Sequence, residues 1–278
     1  MLVAGLSETP RGSAAGVLGL LAGRLPEAGE VAGLLGDVLW VVTYVLIIRA
    51  GFRSREYGIP LTAIALNFTW ELIYGVLYPP GAVAARVLHG AWLALDLVIV
   101  IQLVRYGKAV QTHSLIRRFF YPIVAVTLVL AFIGHLLFRR QFVTAQIMPD
   151  SDGLISAYAI NLVMSVLFVF FLPGRHTRDA LSVGAAWTKC LGTGLVSLGN
   201  YLAHLGNPPP LYNVQYHPVG EVAWTSLPPR HLLPVNPDFL WYLAATVFLF
   251  DLLYIRLLYR LPAAPSRPAT DPTPVRSG

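Results

Sequence analysis

Residues 58–79 read GIPLTAIALNFTWELIYGVLYP, and Glu71 is the only charged side chain among them. The hydrocarbon core of a bilayer, about 30 Å thick, needs about 20 apolar residues in a helix. Strands of soluble proteins run about 5–6 residues, so a run of this length and composition predicts a membrane-spanning helix. Six further stretches have the same character: 31–49, 84–105, 118–138, 153–173, 180–205 and 237–258. The stretch 180–205 is the most polar of them. The predicted fold is therefore all-α, an integral membrane bundle of seven transmembrane helices over residues 31–260.

The whole chain agrees with this reading. Of 278 residues, 56% are hydrophobic and 12% charged, and the mean hydropathy is +0.63. Soluble domains carry about 25% charged residues. Half that number cannot wet a globule of this size, which excludes a large soluble enzyme, a disordered chain and a nucleic-acid binder. The net charge of +6 comes mainly from arginines beside apolar stretches, which speaks of membrane orientation. Cys190 is the single cysteine, so an intrachain disulfide and CxxC metal or redox sites are ruled out.

Lysine and arginine alternate between the two sides. The first, third and fifth connections and the C-terminal tail hold thirteen, among them Arg53, Arg55, Lys108, Arg175 and Arg260. The opposite side holds six, and Lys189 lies within a span. Positive charge stays inside, which predicts an external N-terminus and a cytoplasmic C-terminus. Residues 1–30 lack the basic start of a signal peptide and predict a short helix on the membrane surface. The Pro-rich tail 261–278 predicts disorder. The outer connection 206–238 holds eight prolines, but also Tyr212, Tyr216, Trp224 and Leu232. That composition predicts a loop folded over the outer mouth of the bundle.

Ionisable side chains in a span are costly and usually face the bundle interior. Here they are Asp37, Glu71, Asp96, Lys189 and Asp251, with His89, His135 and His204. Helical spacing gathers them into stripes. Asn67, Glu71, Tyr74 and Tyr78 form one, with Trp70 beside it; His89, Trp92 and Asp96 form a second; Asp37, Trp40 and Tyr44 a third. Tyr158, Asn161 and Ser165 follow in the fifth span, and Thr193, Ser197 and Asn200 in the sixth. In the last span Asp251 shares a face with Trp241, Phe248 and Tyr254. A lone Asn, Ser, Thr or His in a membrane is more often glue between helices. A carboxyl costs several kcal/mol more to bury than an amide, which favours a functional reading. Lys189 could neutralise one of them, leaving Asp96 or Asp251 structural.

Together the stripes predict a central cavity lined by aromatics, with a few carboxyls projecting into it. No HExxH, aspartate-rich diphosphate motif or GxSxG is present, and the last span holds no lysine for a retinal. A carboxyl kept from water retains its proton at neutral pH and can donate it. Aromatic faces attract cations. An acid to start and aromatic walls to hold positive charge suit the cyclisation of an apolar polyene through carbocations.

Three motifs then resemble one family. Asn67-Phe68-Thr69-Trp70-Glu71 resembles the N-x-x-W-E segment of the transmembrane terpene cyclases of fungal meroterpenoid and indole-diterpene pathways, which have bacterial relatives. Trp92-Leu93-Ala94-Leu95-Asp96 is similar to their W-x-x-x-D segment, and Asp251-Leu252-Leu253-Tyr254 to the aspartate of their last span. The resemblance implies an enzyme that protonates a terminal epoxide or alkene of a lipophilic prenylated substrate, with no metal and no organic cofactor. A prenyltransferase and, for epoxides, an epoxidase would act upstream. It also selects Glu71 and Asp251 as the catalytic pair. One is the general acid; the other holds it, positions the substrate or takes the final proton. Asn67, Trp70, Tyr74, Trp92, Asp96, Phe248 and Tyr254 are the expected substrate-binding shell. The expected setting is a bacterial cytoplasmic membrane.

Helix rise places Glu71 about 12 Å and Asp251 about 21 Å below the outer ends of their spans. Both are then expected to face one cavity lined by Trp70, Trp92, Phe248 and Tyr254. The alternative is a non-enzymatic transporter or receptor using the same cavity.

Overall fold

A computed structural model describes residues 28–79, 83–142, 153–175, 177–178, 180–206 and 237–263. Residues 1–27 of the expected surface segment, most of the outer loop and most of the tail lie outside the described residues. Within them the chain is helix and turn, with no strand.

Eight α-helices follow in order: α1 Ala28–Ser54, α2 Leu61–Leu72, α3 Val83–Tyr106, α4 Ser114–Arg118, α5 Phe120–Phe142, α6 Leu154–Phe171, α7 Val183–Gly206 and α8 Pro237–Leu258. A π-helical turn, Ile73–Leu77, prolongs α2, and a 3-10 turn, Leu172–Gly174, prolongs α6. Each of the seven apolar stretches read from the sequence thus contains helix, and α4 is a short addition in a connection. Five helices are long and apolar enough to cross a membrane: α1, α3, α5, α6 and α8. Helix α2 with its π turn is a shorter apolar helix. Helix α7 is 24 residues long but carries the polar stripe around Lys189.

Local sequence sets the boundaries. Pro60 caps α2 in an extended conformation, φ −53° and ψ 137°, because its ring fixes φ and the following N–H groups need no predecessor. Tyr78 and Pro79 end the π turn.

The helices close into a ring. Packing runs from α1 to α7, then α8, α6, α2, α3 and back to α1. In lipid no hydrophobic force drives helices together, so close approach of backbones must supply the dispersion energy. Helices α1 and α7 achieve this through glycines. A Cβ on Gly36 would lie 2.7 Å from Gly192 O, and one on Gly199 would lie 2.7 Å from Gly29 O. Helix α5 stands outside the ring against α2. Its Val126, Val129, Leu130 and Leu137 are more than half exposed, as a lipid-facing surface requires.

One end of the ring is closed by a large apolar cluster that includes Ile64, Ile99, Leu103, Phe168, Ile255 and Leu258. Arg175 latches this end. Its Nη1 donates to Glu56 Oε2 at 2.5 Å and its Nη2 to Tyr57 O at 2.9 Å, tying the start of the α6–α7 connection to the α1–α2 connection. Above this floor the ring encloses polar groups.

Candidate active site

Three inward-turned stripes build the site. Helix α2 supplies Asn67, Trp70 and Glu71. Glu71 is 4% exposed, and its Oε2 lies 2.8 Å from His89 Nδ1 on α3. The imidazole sits between two indoles. Trp70 is 5.5 Å away, and Trp92 5.7 Å away and edge-on. The π turn that follows Glu71 backs this arrangement: a Cβ on its Gly75 would come within 3.2 Å of His89 Cβ. π turns inside helices are frequent at functional sites.

The start of α6 holds the aromatic wall in place. Trp70 stacks on Tyr74 at 4.7 Å, and its Nε1 donates to Ser156 Oγ at 3.0 Å. Gly153 approaches the same rings with φ +73°. A Cβ there would lie 2.7 Å from Trp70 Cζ2 and 2.8 Å from Tyr74 Cε1, so both the backbone and the space demand glycine.

One turn deeper on α2, the Asn67 amide bridges two neighbours. Its Nδ2 donates to Tyr44 OH at 2.5 Å and to Asp96 Oδ2 at 2.8 Å. The opposite wall comes from α6 and α7, where Tyr158 OH meets Ser197 Oγ at 2.7 Å and Asn161 Nδ2 donates to Thr193 Oγ1 at 3.1 Å. Two buried polar atoms, Asn161 Oδ1 and Trp92 Nε1, have no hydrogen-bond partner among the described residues.

These groups surround a cavity of about 150 Å³. Asp37, Trp40, Tyr44, Asn67, Trp70, Glu71, Trp92, Tyr158 and Asn161 line it, with Leu154, Ile160, Met164 and Val196 filling the apolar gaps. A smaller crevice shares the walls Trp40, Tyr44, Asn67 and Met164 and is bounded by Asp96 and Lys189.

Asn67, Trp70, Glu71 and Trp92 are therefore placed as the sequence predicts, and Tyr74 stands directly behind Trp70. Asp251 is not on the cavity wall. Both its oxygens accept from Lys189 Nζ, at 2.7 and 2.8 Å. Lys189 also donates to Ser165 Oγ at 2.8 Å and lies 5.6 Å from the Trp40 ring. The expected single cavity with both carboxyls on its wall is not what the structure shows. Tyr254 packs on Phe168 at 5.0 Å in the apolar cluster. Phe248 is 43% exposed and outside the cavity. Helix α8 buries Leu240, Leu243, Val247, Asp251, Tyr254 and Leu258, a stripe of three- and four-residue steps. Phe248 follows Val247, and one residue turns a helix by about 100°, enough to carry its ring outward.

His89, Tyr44, Asp37, Trp40, Tyr158 and Asn161 belong to the site although motif reasoning did not select them. All stand in the polar stripes, so the stripes carried the signal and the motifs narrowed it too far.

Several named proteins are similar in sequence. Terpene cyclase macJ of Penicillium terrestre is 26% identical over 57% of this chain and 61% of its own length. Terpene cyclase cle7 of Aspergillus versicolor is 28% identical over 55% and 63% respectively. Asnovolin H synthase nvfL of Aspergillus novofumigatus is 24% identical over 74% and 75%. The chain spans about three fifths of the length of the first two. These relatives are fungal, so they support a membrane setting and not the bacterial one. No solved structure matches the chain. A family model described as Pyr4-like transmembrane terpene cyclases matches residues 30–213, more than half of the sequence and every helix but the last; the chain belongs to that family.

Proposed function

We propose that this chain is a membrane terpene cyclase acting on a lipophilic prenylated substrate of the meroterpenoid or indole-terpenoid class. The observation that carries the reading is Glu71, a buried carboxyl bonded to His89 on the wall of a cavity built mainly of tryptophan, tyrosine and aliphatic side chains, with Asp37, Asn67, Asn161 and Thr193 as its other polar groups.

Glu71 gives its proton to the terminal epoxide oxygen or terminal alkene carbon of the bound chain. With an epoxide the C–O bond opens to a hydroxyl; in both cases the chain's π bonds then close rings in sequence. Trp70, Trp92 and Trp40 present faces that favour positive charge, and burial strengthens that attraction by excluding water. Loss of a proton from carbon ends the cascade, so substrate and product are isomers. His89 holds the Glu71 carboxyl toward the cavity. Asn67 and Tyr74 position the wall. Asp251 acts at one remove, fixing Lys189 beneath the site. Trp92 Nε1 and Asn161 Oδ1 are left for a polar group of the substrate, which would relieve the cost of about 1–3 kcal/mol for each buried unpaired atom.

All seven long helices cross the bilayer in this reading, with the N-terminus outside and the C-terminus in the cytoplasm. A transporter or receptor is less well supported, because the named relatives are cyclases and a synthase.

The test is direct. Purified chain in detergent or lipid is given a farnesylated phenol bearing a terminal epoxide and a farnesylated indole bearing a terminal alkene. Mass-neutral conversion of either to a cyclic product, unchanged by EDTA, is expected. No conversion of any such substrate, or strict dependence on a divalent metal, would refute the assignment. Labelling of Ser54→Cys in intact cells reads the orientation independently: modification from outside would invert it.

A further inference from the structure

The connection between α3 and α5 lies beyond the apolar floor and lines neither the cavity nor the crevice. Its base is pinned. Gln111 Nε2 donates to Tyr57 OH at 3.0 Å and to Gly107 O at 2.9 Å, and Phe120 is buried in the floor. Its tip is not. Every residue from Thr112 to Phe119 is exposed, and α4 within it buries no side chain. Leu115, Ile116 and Phe119 are the large apolar groups of this tip.

The same segment is basic. Arg105, Lys108, Arg117 and Arg118 fall in it, and no Asp or Glu occurs between Asp96 and Asp150. Three of these cations lie over rings of the segment: Arg105 over Tyr106 at 5.6 Å, Lys108 over Tyr121 at 5.3 Å and Arg118 over Phe119 at 5.4 Å. Phe52 meets Tyr106 edge-on at 6.3 Å, which brings the end of α1, with exposed Arg53, to the same end of the ring.

Exposed leucine, isoleucine and phenylalanine are unfavourable in water. Beside arginines they suit the boundary of a bilayer, where apolar side chains sink below the headgroups and cations stay level with them. The anion found at that depth is lipid phosphate, and arginine binds it through paired N–H groups. A zwitterionic lipid balances its phosphate with its own ammonium; an anionic lipid leaves the charge for the protein. We propose that residues 105–121 bind the headgroup of an anionic phospholipid. Arg117, Arg118 and Lys108 supply the N–H donors, and Leu115, Ile116 and Phe119 anchor the tip among the upper acyl carbons. The site is independent of the proposed cyclisation.

The test needs no turnover. The purified full chain in detergent is titrated with phosphatidylglycerol or phosphatidylcholine, and native mass spectrometry reads the lipid retained and the oligomeric state. Wild type should retain phosphatidylglycerol in preference. One basic side chain near an anionic surface is worth about fivefold in affinity, so Arg117→Gln/Arg118→Gln should weaken phosphatidylglycerol about 25-fold and leave phosphatidylcholine unchanged. Arg256→Gln/Arg260→Gln removes the same charge from the end of α8 and should keep the preference. Equal loss in both double variants would mean a diffuse positive field and overturn the site, as would equal retention of the two lipids by wild type.

Leu115→Ser/Ile116→Ser/Phe119→Ser tests the anchor. It should weaken phosphatidylglycerol while inorganic phosphate fails to displace the lipid from wild type. Displacement by inorganic phosphate, with the serine variant retaining lipid like wild type, would make this a free-anion site. A serine variant that turns dimer into monomer and keeps its lipid would assign the tip to a second copy of the chain. Either result refutes the proposal. If the serine variant does not fold, the two arginine variants decide, since all four of their side chains are exposed.

Discussion

Glu71 and Asp251 are buried to the same degree, 4% and 3% exposed, yet their surroundings differ. Glu71 is held by one imidazole nitrogen and stands on a cavity wall. Asp251 has both oxygens on an ammonium, at 2.7 and 2.8 Å, and stands off the cavity. A buried carboxyl bonded to a neutral or neutralisable group can keep a transferable proton. One locked to a lysine is a strut, because taking up a proton would strand the ammonium in a medium that penalises an unpaired charge. Burial alone thus says little about function; the partner decides.

The largest expected effect breaks the Glu71 side of this contrast. Glu71→Gln preserves shape and a hydrogen bond with His89 but removes the transferable proton. Turnover should fall by about 10²–10⁴-fold, while the melting temperature in detergent stays close to wild type. Activity above about a tenth of wild type, outside that range, would mean that another group starts the reaction.

The Asp251 side should respond in the reverse manner, through stability. Asp251→Asn or Lys189→Met each leaves one buried charge unmatched, which costs about 3–5 kcal/mol. Replacing both with apolar residues of similar volume is commonly neutral or stabilising by about 1–4 kcal/mol. Thermal melts of the two single variants and the double Lys189→Met/Asp251→Leu variant should therefore show two large drops and a recovery. Turnover should return with the fold. A single variant that melts like wild type and is inactive would place Asp251 in the chemistry and dissolve the distinction.

Parts of this contrast are readable in the sequence and parts are not. Length and apolarity suffice for the helices, and the stripes on α1, α2 and α3 do point into the cavity, because lipid offers Asn67, Glu71 and Asp96 no alternative. The pairing of His89 with Glu71 was within reach. Glu71 lies six residues before Leu77, the end of the π turn, and His89 six residues after Val83, the start of α3. Antiparallel neighbours counted from their shared turn meet at equal depth. The Lys189–Asp251 bond was weighed as one option among several, since residues 62 apart on separate helices can be matched only once the order of helices round the ring is known. The tilt of α8's buried stripe was out of reach for the same reason. Val247, Asp251 and Tyr254 define it only after α6 and α7 have taken their places.

The smallest expected effect tests that tilt. Phe248 shares a coarse helical face with Asp251, and sequence spacing puts it in the substrate's path. The structure turns it 43% exposed to the outside of the ring, while Trp92 from α3 lines the cavity. Phe248→Ala should then change stability by no more than about 0.5 kcal/mol, as surface substitutions do, and leave turnover and product ratios within about twofold. Trp92→Ala supplies the matched control, because it removes a ring that packs against His89 at 5.7 Å and that, in the proposed reaction, faces the cation, worth about 0.5–2 kcal/mol. Turnover should fall accordingly, up to about thirtyfold by the same energy. If the Phe248 variant lost activity as strongly as the Trp92 variant, α8 would have to present its other face to the substrate. Asp251 would turn with it, and the strut would become a second acid.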